Sequence, residues 1–350
     1  MRLLFFLFLA AGAVFAKDRS NKPNNLVAYF VDVEGGQATL IVTPDGESVL
    51  IDAGWSGNEA RDASRISAVA KLAKINKIDY FVLTNYQPDH AGGVAELVQK
   101  LPVGTFIDRG PNRETGAKQQ PIAKEYESAI GSSQRLAAKP GDDLPLRSID
   151  ATVVAANGGM ITKPLPTGGN LNTYCETTPD RTGGDPEDAR TLGTFWHFGR
   201  FRMLDLSDLP WQKEKQLMCP MNRLGKIDLF VVSHHGSDQS NSPALVQDIT
   251  PRVAILDNGA GRGGAASTYN LLKTVSGLED IWQLHYSEDG GKDHNTVDTK
   301  IANVGESDDG FYLKVIASED GSFEVYNPRN KFSQKYAAKG SFGRLGWETR

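Results

Sequence analysis

Short apolar runs rich in β-branched residues alternate with turn residues along most of the chain. The first block holds the runs LVAYFVDV, ATLIVTP and SVLIDAG, separated by turns at Gly35-Gly36 and Asp45-Gly46. Such runs between turn residues predict buried strands. Further strands are predicted for residues 149–155 and for KIDYFVLT, TLGTFWHF, FRMLDL, KIDLFVVS, RVAILDN, IWQLHY, FYLKVIAS and SFEVYN.

Apolar residues at helical spacing separate several of these strands. They predict a helix over residues 59–75, a second beginning at Val94, and a third within residues 112–133. Strand pairs and helices that alternate in two comparable halves indicate a layered α/β architecture. Residues 157–190 are rich in Gly, Pro, Thr and Asp. A connection of that length is typical of a functional lid or of a disordered segment.

The N-terminus has the pattern of a secretory signal. Arg2 supplies a positive charge, an apolar segment begins at Leu3, and the small residue Ala16 ends a cleavage site. We therefore predict a signal peptide at residues 1–16, a loose segment at 17–25 and export to the periplasm or medium. The alternatives are a buried N-terminal strand or an uncleaved anchor. No membrane span is predicted for the mature chain.

Composition and charge narrow the classes of partner. The chain has 350 residues and a net charge of -5, which gives no electrostatic case for a dedicated nucleic-acid binder. Residues 329–350 form a basic C-terminal tail with interleaved aromatic residues, either an arm for anionic partners or a tail that packs or frays. Cys175 and Cys219 could pair in an oxidising compartment or remain separate thiols.

Residues with metal-ligating chemistry follow several predicted strands. YFVLT leads to Asp89-His90, FRMLDL to Asp208, and LFVVS to His234-His235. Side chains beyond the carboxyl ends of strands converge in one crevice of an open α/β sheet. Asp52 ends the strand SVLID and is suited to orient a ligand imidazole from behind.

The order of these motifs resembles the metallo-β-lactamase fold superfamily, and within it the hydrolase-like domain of the DNA-uptake protein ComEC and its exported free-standing relatives. YFVDVEGGQATLIVTPDGESVLIDAG is similar to the opening strands of that group, LTNYQPDHAGG to its first metal motif, MLDLSDL to the strand with the bridging aspartate, and IDLFVVSHHGSDQS to the late histidine motif. The resemblance implies a four-layer αββα sandwich (α/β, or α+β layered) over residues 26–328.

The resemblance also implies a ligand set. One metal position keeps Asp89, His90, Asp208 and His235, a set suited to one zinc or another divalent transition metal. The other position is degenerate, because Asn85 and Gln87 stand where imidazoles are expected, and amide oxygens are poor zinc ligands. Its usual histidine before Asp208 has no clear counterpart; the acidic residues in that stretch are Asp185, Glu187 and Asp188.

Four residues receive further roles. Asp89 is the candidate catalytic residue, since it could orient or deprotonate water even in a site without metal. Asp52 and His234 are expected to support the ligands from behind. His285 ends the strand IWQLHY and is a candidate for contact with substrate.

Three functions are compatible with this pattern. The first is an exported metal-dependent hydrolase with one retained metal position, acting on small-molecule, phosphodiester or other ester substrates. The second is a catalytically silent member of the fold that acts as a binding protein and uses no cofactor. The third is nucleic-acid handling, which rests only on the basic tail.

Overall fold

The computed structural model describes residues 24–110, 119–305 and 309–339. The predicted signal peptide and most of the loose segment 17–25 lie outside these residues. The described helices are α1 Arg61–Leu72, α2 Pro88–Ala91, α3 Val94–Lys100, α4 Gln119–Ile130, α5 Trp211–Met218, α6 Pro243–Ile249 and α7 Ala266–Lys273. The described strands are β1 Leu26–Phe30, β2 Thr39–Val42, β3 Ser48–Ile51, β4 Ile78–Val82, β5 Val103–Asp108, β6 Gln134–Ala137, β7 Asp150–Ala156, β8 Gly159–Met160, β9 Asn170–Leu171, β10 Gly193–Phe198, β11 Phe201–Asp205, β12 Met221–Asn222, β13 Leu229–Val231, β14 Val253–Leu256, β15 Asp280–His285, β16 Ile301–Asn303, β17 Leu313–Ala317, β18 Phe323–Asn327 and β19 Phe332–Tyr336.

Two large sheets form the framework. One has nine strands in the order β19-β18-β17-β1-β2-β3-β4-β5-β6, and the other has eight in the order β16-β15-β14-β13-β11-β10-β7-β8. In the first sheet β3 to β6 run parallel, and in the second β11, β13, β14, β15 and β16 run parallel. Parallel strands place their carboxyl ends at one edge, where loop residues can meet.

Three apolar cores define four layers. The central core lies between the sheets and contains Ile51 from β3 and Trp196 from β10. A second core packs the nine-stranded sheet against α1, α3 and α4, and a third packs the other sheet against α5, α6 and α7. Strands buried on both faces give near-continuous apolar runs in the sequence. The predicted αββα sandwich is confirmed.

Each predicted strand and helix has an observed counterpart that differs at its ends. Strands such as β5 and β16 and the helices α5, α6 and α7 were not predicted. The predicted C-terminal boundary also differs. The sheet continues past residue 328, where the domain was predicted to end, because β19 pairs antiparallel with β18. The ring of Tyr336 stacks on Phe323, and its hydroxyl accepts a hydrogen bond from Trp282 Nε1 at 2.9 Å. The first part of the predicted basic tail is therefore an edge strand of the fold, and residues 340–350 lie outside the described residues.

Residues 157–190 form a largely irregular connection that is tied to the domain. Cys175 and Cys219 are disulfide-bonded. The short strand β9 pairs with β12, and Asn172 donates to the carbonyl of Ala244 at 2.7 Å. This segment returns to the crevice at its C-terminal end, where it delivers Glu187 and Asp188.

Within the described residues, no helix combines the length and the apolar character that a membrane crossing requires.

Candidate metal centre

The stretch TNYQPDHAGG forms the tight connection from β4 to α3. Pro88 occupies the first turn of α2, where its missing N–H costs no hydrogen bond. Gly93 lies so close to the backbone that a Cβ atom there would collide with the carbonyl oxygen of Ala53. Only glycine permits this approach. The turn thereby holds Asp89 and His90, both buried, at the carboxyl edge of the nine-stranded sheet.

Four buried side chains from three loops meet at this edge. Asp89 and His90 come from the turn after β4, Asp208 follows β11, and His235 follows β13. His90 Nε2 lies 3.1 Å from Asp208 Oδ2 and 3.6 Å from Asp89 Oδ2. His235 Nε2 lies 3.4 Å from Asp89 Oδ2 and 3.7 Å from Asp208 Oδ1. The structure therefore brings together the four residues that the resemblance assigned to one metal position.

The donor atoms of this group fit a bound cation. Asp208 Oδ1 and His235 Nε2 are buried and have no hydrogen-bond partner among the described residues. Unpaired buried polar atoms are costly and require an explanation. Two carboxylates and two imidazoles match the donor preferences of zinc, and separations of 3.1–3.7 Å suit atoms that each bond one ion at about 2.0–2.2 Å. The residues present fit a single divalent transition metal.

Carboxylates behind the group orient its imidazoles. Asp52 Oδ2 lies 2.8 Å from His90 Nδ1, and the other oxygen accepts from the backbone N–H of Thr84. Asp257 Oδ1 lies 3.5 Å from His235 Nδ1. Both arrangements leave Nε2 of the histidine facing the other ligands, as in metal sites whose histidines are held by carboxylates. Asp52 was expected in this place; Asp257 was missed, although it follows the strand VAIL in the same way.

The charges in this group are strongly coupled. Burial acts to lower the pKa of His90, but the carboxylates around it, chiefly Asp208, outweigh burial and raise that pKa well above its ordinary value. Burial also acts to lower the pKa of His235. The carboxylates around it, first among them Asp208, together outweigh burial, and the pKa of His235 is raised to about 10. Burial alone would raise the pKa of Asp208, yet the neighbouring histidines hold it below its ordinary range. The carboxylates thus make the crevice attractive to positive charge, supplied here by protonated imidazoles.

The degenerate metal position is filled by a closed hydrogen-bond cluster. Asp188 Oδ1 accepts from Gln87 Nε2 at 2.7 Å and from Asn85 Nδ2 at 3.2 Å. Burial, with Asp208 as the next cause, raises the pKa of Asp188 to about 8. A carboxylic acid and two amides bonded to one another form a neutral set with little affinity for zinc. Of the three acidic residues considered in that stretch, Asp188 is the one whose carboxyl accepts from both amides.

A buried ion pair fixes the segment that carries Asp188. Arg109 Nη2 lies 2.5 Å from both carboxylate oxygens of Glu187, and Glu187 also accepts from the backbone N–H of Tyr86 at 2.8 Å. The end of the 157–190 segment is thereby docked on the metal motif. Breaking such a buried pair is strongly destabilising, so this contact stabilises the position of Asp188 at the edge of the crevice.

The two remaining predicted residues, His234 and His285, have different partners. His234 Nε2 is 3.6 Å from Asp208 Oδ2, close enough to support that carboxylate. His285 is instead part of a separate buried cluster, where its Nε2 lies 2.6 Å from Asp32 Oδ1 and 3.6 Å from Glu34. Asp32 is also paired with Arg65 at 2.9 Å. The structure thus gives His285 a carboxylate partner of its own.

An arginine at the rim of the crevice contacts one of the four clustered residues. Arg262 Nη2 contacts Asp89 Oδ2, and its guanidinium lies 5.1 Å from the ring centre of Trp55. Its side chain remains 40% exposed, although its Nε atom is buried without a hydrogen-bond partner among the described residues. Arg262 comes from the glycine-rich turn LDNGAGRGG. Arg262 is therefore a long cationic side chain that contacts the candidate metal ligand Asp89 and is partly exposed to solvent.

A family comparison matches part of the chain. Residues 31–181 match the model of the Metallo-beta-lactamase superfamily, a range that includes Asp52, Asp89 and His90. The predicted resemblance to this superfamily is confirmed over that range. Asp208 and His235 lie beyond it and are located by the structure alone.

Among individual proteins, the chain is similar to Recombination protein 2 of Haemophilus influenzae, with 23% identity over 277 residues. The match covers 79% of this chain and 29% of that protein, so the chain spans less than a third of the relative's length. Solved structures with a similar arrangement include CmlA, a diiron beta-hydroxylase from Streptomyces venezuelae (15% identity, 67% of this chain, 45% of that chain, TM-score 0.38). Another is MEM-A1, a subclass B3 metallo-beta-lactamase from a soil metagenome library (13% identity, 76% and 81% covered, TM-score 0.34). The similarity to these two solved structures carries no inference about substrate.

Proposed function

We propose that the protein is an exported, metal-dependent hydrolase that holds one divalent ion on Asp89, His90, Asp208 and His235. Its substrates are phosphodiesters or other esters. The observation that carries this proposal is the pair of buried, unpartnered ligand atoms, Asp208 Oδ1 and His235 Nε2, 3.7 Å apart. Both atoms face the same point in the crevice without a hydrogen bond in the described structure, which a bound cation would explain.

Zinc, manganese or iron would suit these ligands. When bound, such an ion supplies a Lewis acid for a phosphoryl or carbonyl oxygen and an acidified water as nucleophile. The chain's own residues prepare the site for this chemistry. Asp52 holds the His90 ring by a hydrogen bond, and Asp257 places a negative charge 3.5 Å from Nδ1 of His235. Asn85, Gln87 and Asp188 are hydrogen-bonded at the neighbouring position.

Arg262 supplies a positive charge that this chemistry requires. The carboxylates of Asp89 and Asp208 balance the charge of one divalent ion, so a site with one ion is close to neutral without the guanidinium. Arg262 makes the rim positive, and its planar fork suits the paired oxygens of a phosphate or carboxylate. In this proposal Arg262 holds the anionic oxygen of the substrate.

The substrate class rests on the relative as well as on the site. Recombination acts on DNA, and the relative's name therefore supports placing phosphodiesters first among the esters. The electrostatics agree, since a cationic rim beside a single ion favours an anionic substrate.

The test is a hydrolysis screen on protein reconstituted with zinc or manganese. The substrates are bis(4-nitrophenyl) phosphate, 4-nitrophenyl butyrate and nitrocefin. Wild-type protein should turn over the phosphodiester, and Asp208→Ala should reduce the rate to background. His197→Ala is the matched control, because its ring is half-exposed and lies near Asp150 rather than in the crevice. Equal rates in wild type and Asp208→Ala would reject the hydrolase.

One observation favours the second candidate, a catalytically silent binding protein. In the described structure Arg262 is paired with Asp89, an arrangement that satisfies a metal ligand without an ion. Under that alternative, reconstituted wild-type protein retains no transition metal and hydrolyses none of the three substrates.

A further inference from the structure

A cavity lined by basic residues lies away from the metal centre. It has a volume of about 900 Å³, within the range of small-molecule sites. Its lining has five basic residues and two acidic ones, Asp228 and Asp320. The basic residues are Arg200, Arg202, Lys226, Arg252 and Lys339.

The position of this cavity in the fold separates it from the proposed active site. Arg202 is at the start of β11, Lys226 precedes β13, and Arg252 precedes β14. These three strands are parallel, and Asp208 and His235 follow the opposite ends of two of them. The basic cavity and the metal centre therefore occupy opposite edges of one sheet.

The two lining carboxylates, Asp228 and Asp320, balance part of the positive charge in the cavity, and several of its cations form no salt bridge with the described part of the chain. Arg252 is buried and paired with Asp228 at 3.3 Å and Glu279 at 2.7 Å, so it has a structural role. Within the described ranges, Arg200, Lys226 and Lys339 take part in no salt bridge of 4.0 Å or less, and neither does Arg202. This excess stands out in a chain with a net charge of -5.

One of these cations carries an unsatisfied donor. Arg202 Nη1 donates to the carbonyl of Lys226 at 3.4 Å, while Arg202 Nε is buried and has no partner in the described structure. A buried N–H without an acceptor is costly. Oxygens of a bound anion would supply acceptors and neutralise the surrounding charge.

We propose that this cavity binds a phosphate-bearing small molecule, separately from the metal centre. Arginine guanidinium groups match the paired oxygens of phosphate, and lysines add flexible point charges. The hydroxyl-bearing residues Thr250 and Ser276 also line the cavity and can donate to further oxygens. The volume accommodates a ligand of nucleotide size.

The test is calorimetric titration of the full chain with inorganic pyrophosphate in low salt and EDTA, which removes any contribution from bound metal. The double variant Arg200→Gln/Lys226→Gln should raise the Kd about tenfold or more, since two charge-assisted contacts are lost. Both side chains are exposed, so the variant is expected to fold. Lys100→Gln, an exposed lysine on α3, is the matched control and should bind as wild type does.

A second arm separates this cavity from the metal centre and from nucleic-acid binding. Asp208→Ala should bind pyrophosphate with unchanged Kd, because its side chain lies at the other edge of the sheet. An unchanged Kd in the double variant would overturn the proposal. Tight binding of a single-stranded oligonucleotide without pyrophosphate binding would also overturn it, and would indicate a nucleic-acid surface instead.

Discussion

Three side chains decide how many ions the crevice can hold. Asn85 and Gln87 both donate to Asp188, and burial raises the pKa of that carboxyl to about 8, which favours its neutral form at pH 7. Replacing all three with histidine presents imidazoles where amides and a carboxylic acid now close the position. The triple variant should bind about one ion more per chain than wild type, measured by elemental analysis after dialysis. Asn85→His alone is the control and should add none.

Arg262 offers a test of substrate recognition that leaves the metal ligands intact. If it holds the anionic oxygen of the substrate, Arg262→Gln should raise KM about tenfold or more with a smaller change in kcat. Arg262→Lys should recover part of the loss. The metal content of the variants must equal that of wild type; a loss of metal in Arg262→Gln would show that the arginine acts by holding Asp89.

A buried carboxylate outside the crevice makes stability depend on pH. Glu214 accepts from the backbone N–H groups of Asn241 at 2.8 Å and Ser242 at 2.6 Å, and burial raises its pKa from 4.5 to about 7. Between these values the folded state keeps a proton that the unfolded state has lost, so stability falls as pH rises through about 7.

Glu214→Gln should therefore flatten the pH profile. From pH 5 to pH 7.5 the wild type should lose on the order of 2 kcal/mol more free energy of unfolding than the variant, measured by urea denaturation at each pH. The two proteins are compared by how much their stability changes with pH, not by their absolute stability. The amide of the Glu214→Gln variant has one hydrogen-bond acceptor fewer than the carboxyl group of Glu214, which lowers stability at every pH. Parallel profiles would contradict the assigned cause.

At the scale of elements, the predicted strands were recognisable because both sheets are buried on two faces. Apolar runs such as KIDYFVLT and KIDLFVVS became β4 and β13, with the metal-site residues directly after them. The 157–190 segment was predicted only as a long connection. Its docking depends on Arg109 meeting Glu187, which lies 78 residues away, and no local pattern encodes such a pair.

The strand β19 was missed as an element because its pattern is only partly buried and carries lysines, as edge strands commonly do. Its contribution can be tested by truncation. A chain ending at residue 328 should lose cooperative unfolding or a large part of its stability, because Trp282 and Phe323 lose the Tyr336 ring. A chain ending at residue 339 is the control and should unfold as the full chain does. Equal stability of the two would show that β19 is dispensable.

At the scale of the whole molecule, the sequence predicted the sandwich through the resemblance of its motifs, and it placed Asp89, His90, Asp208 and His235 after strands whose ends the structure brings together. It did not predict the partners that arrive from elsewhere in the chain. Asp188 closes the degenerate position from 101 residues beyond Gln87, and Arg262 reaches Asp89 across 173 residues. Spacing and periodicity carry no information about such contacts, which the packing of the two sheets determines.

We propose that the crevice binds one ion on Asp89, His90, Asp208 and His235 and none at the Asn85–Gln87 position. Elemental analysis of reconstituted, dialysed protein measures this, with Asp208→Ala and Asn85→Ala as paired variants. Wild type and Asn85→Ala should each retain about one transition-metal ion per chain, and Asp208→Ala should retain none. Wild-type protein that retains no ion, or that retains two, would contradict it.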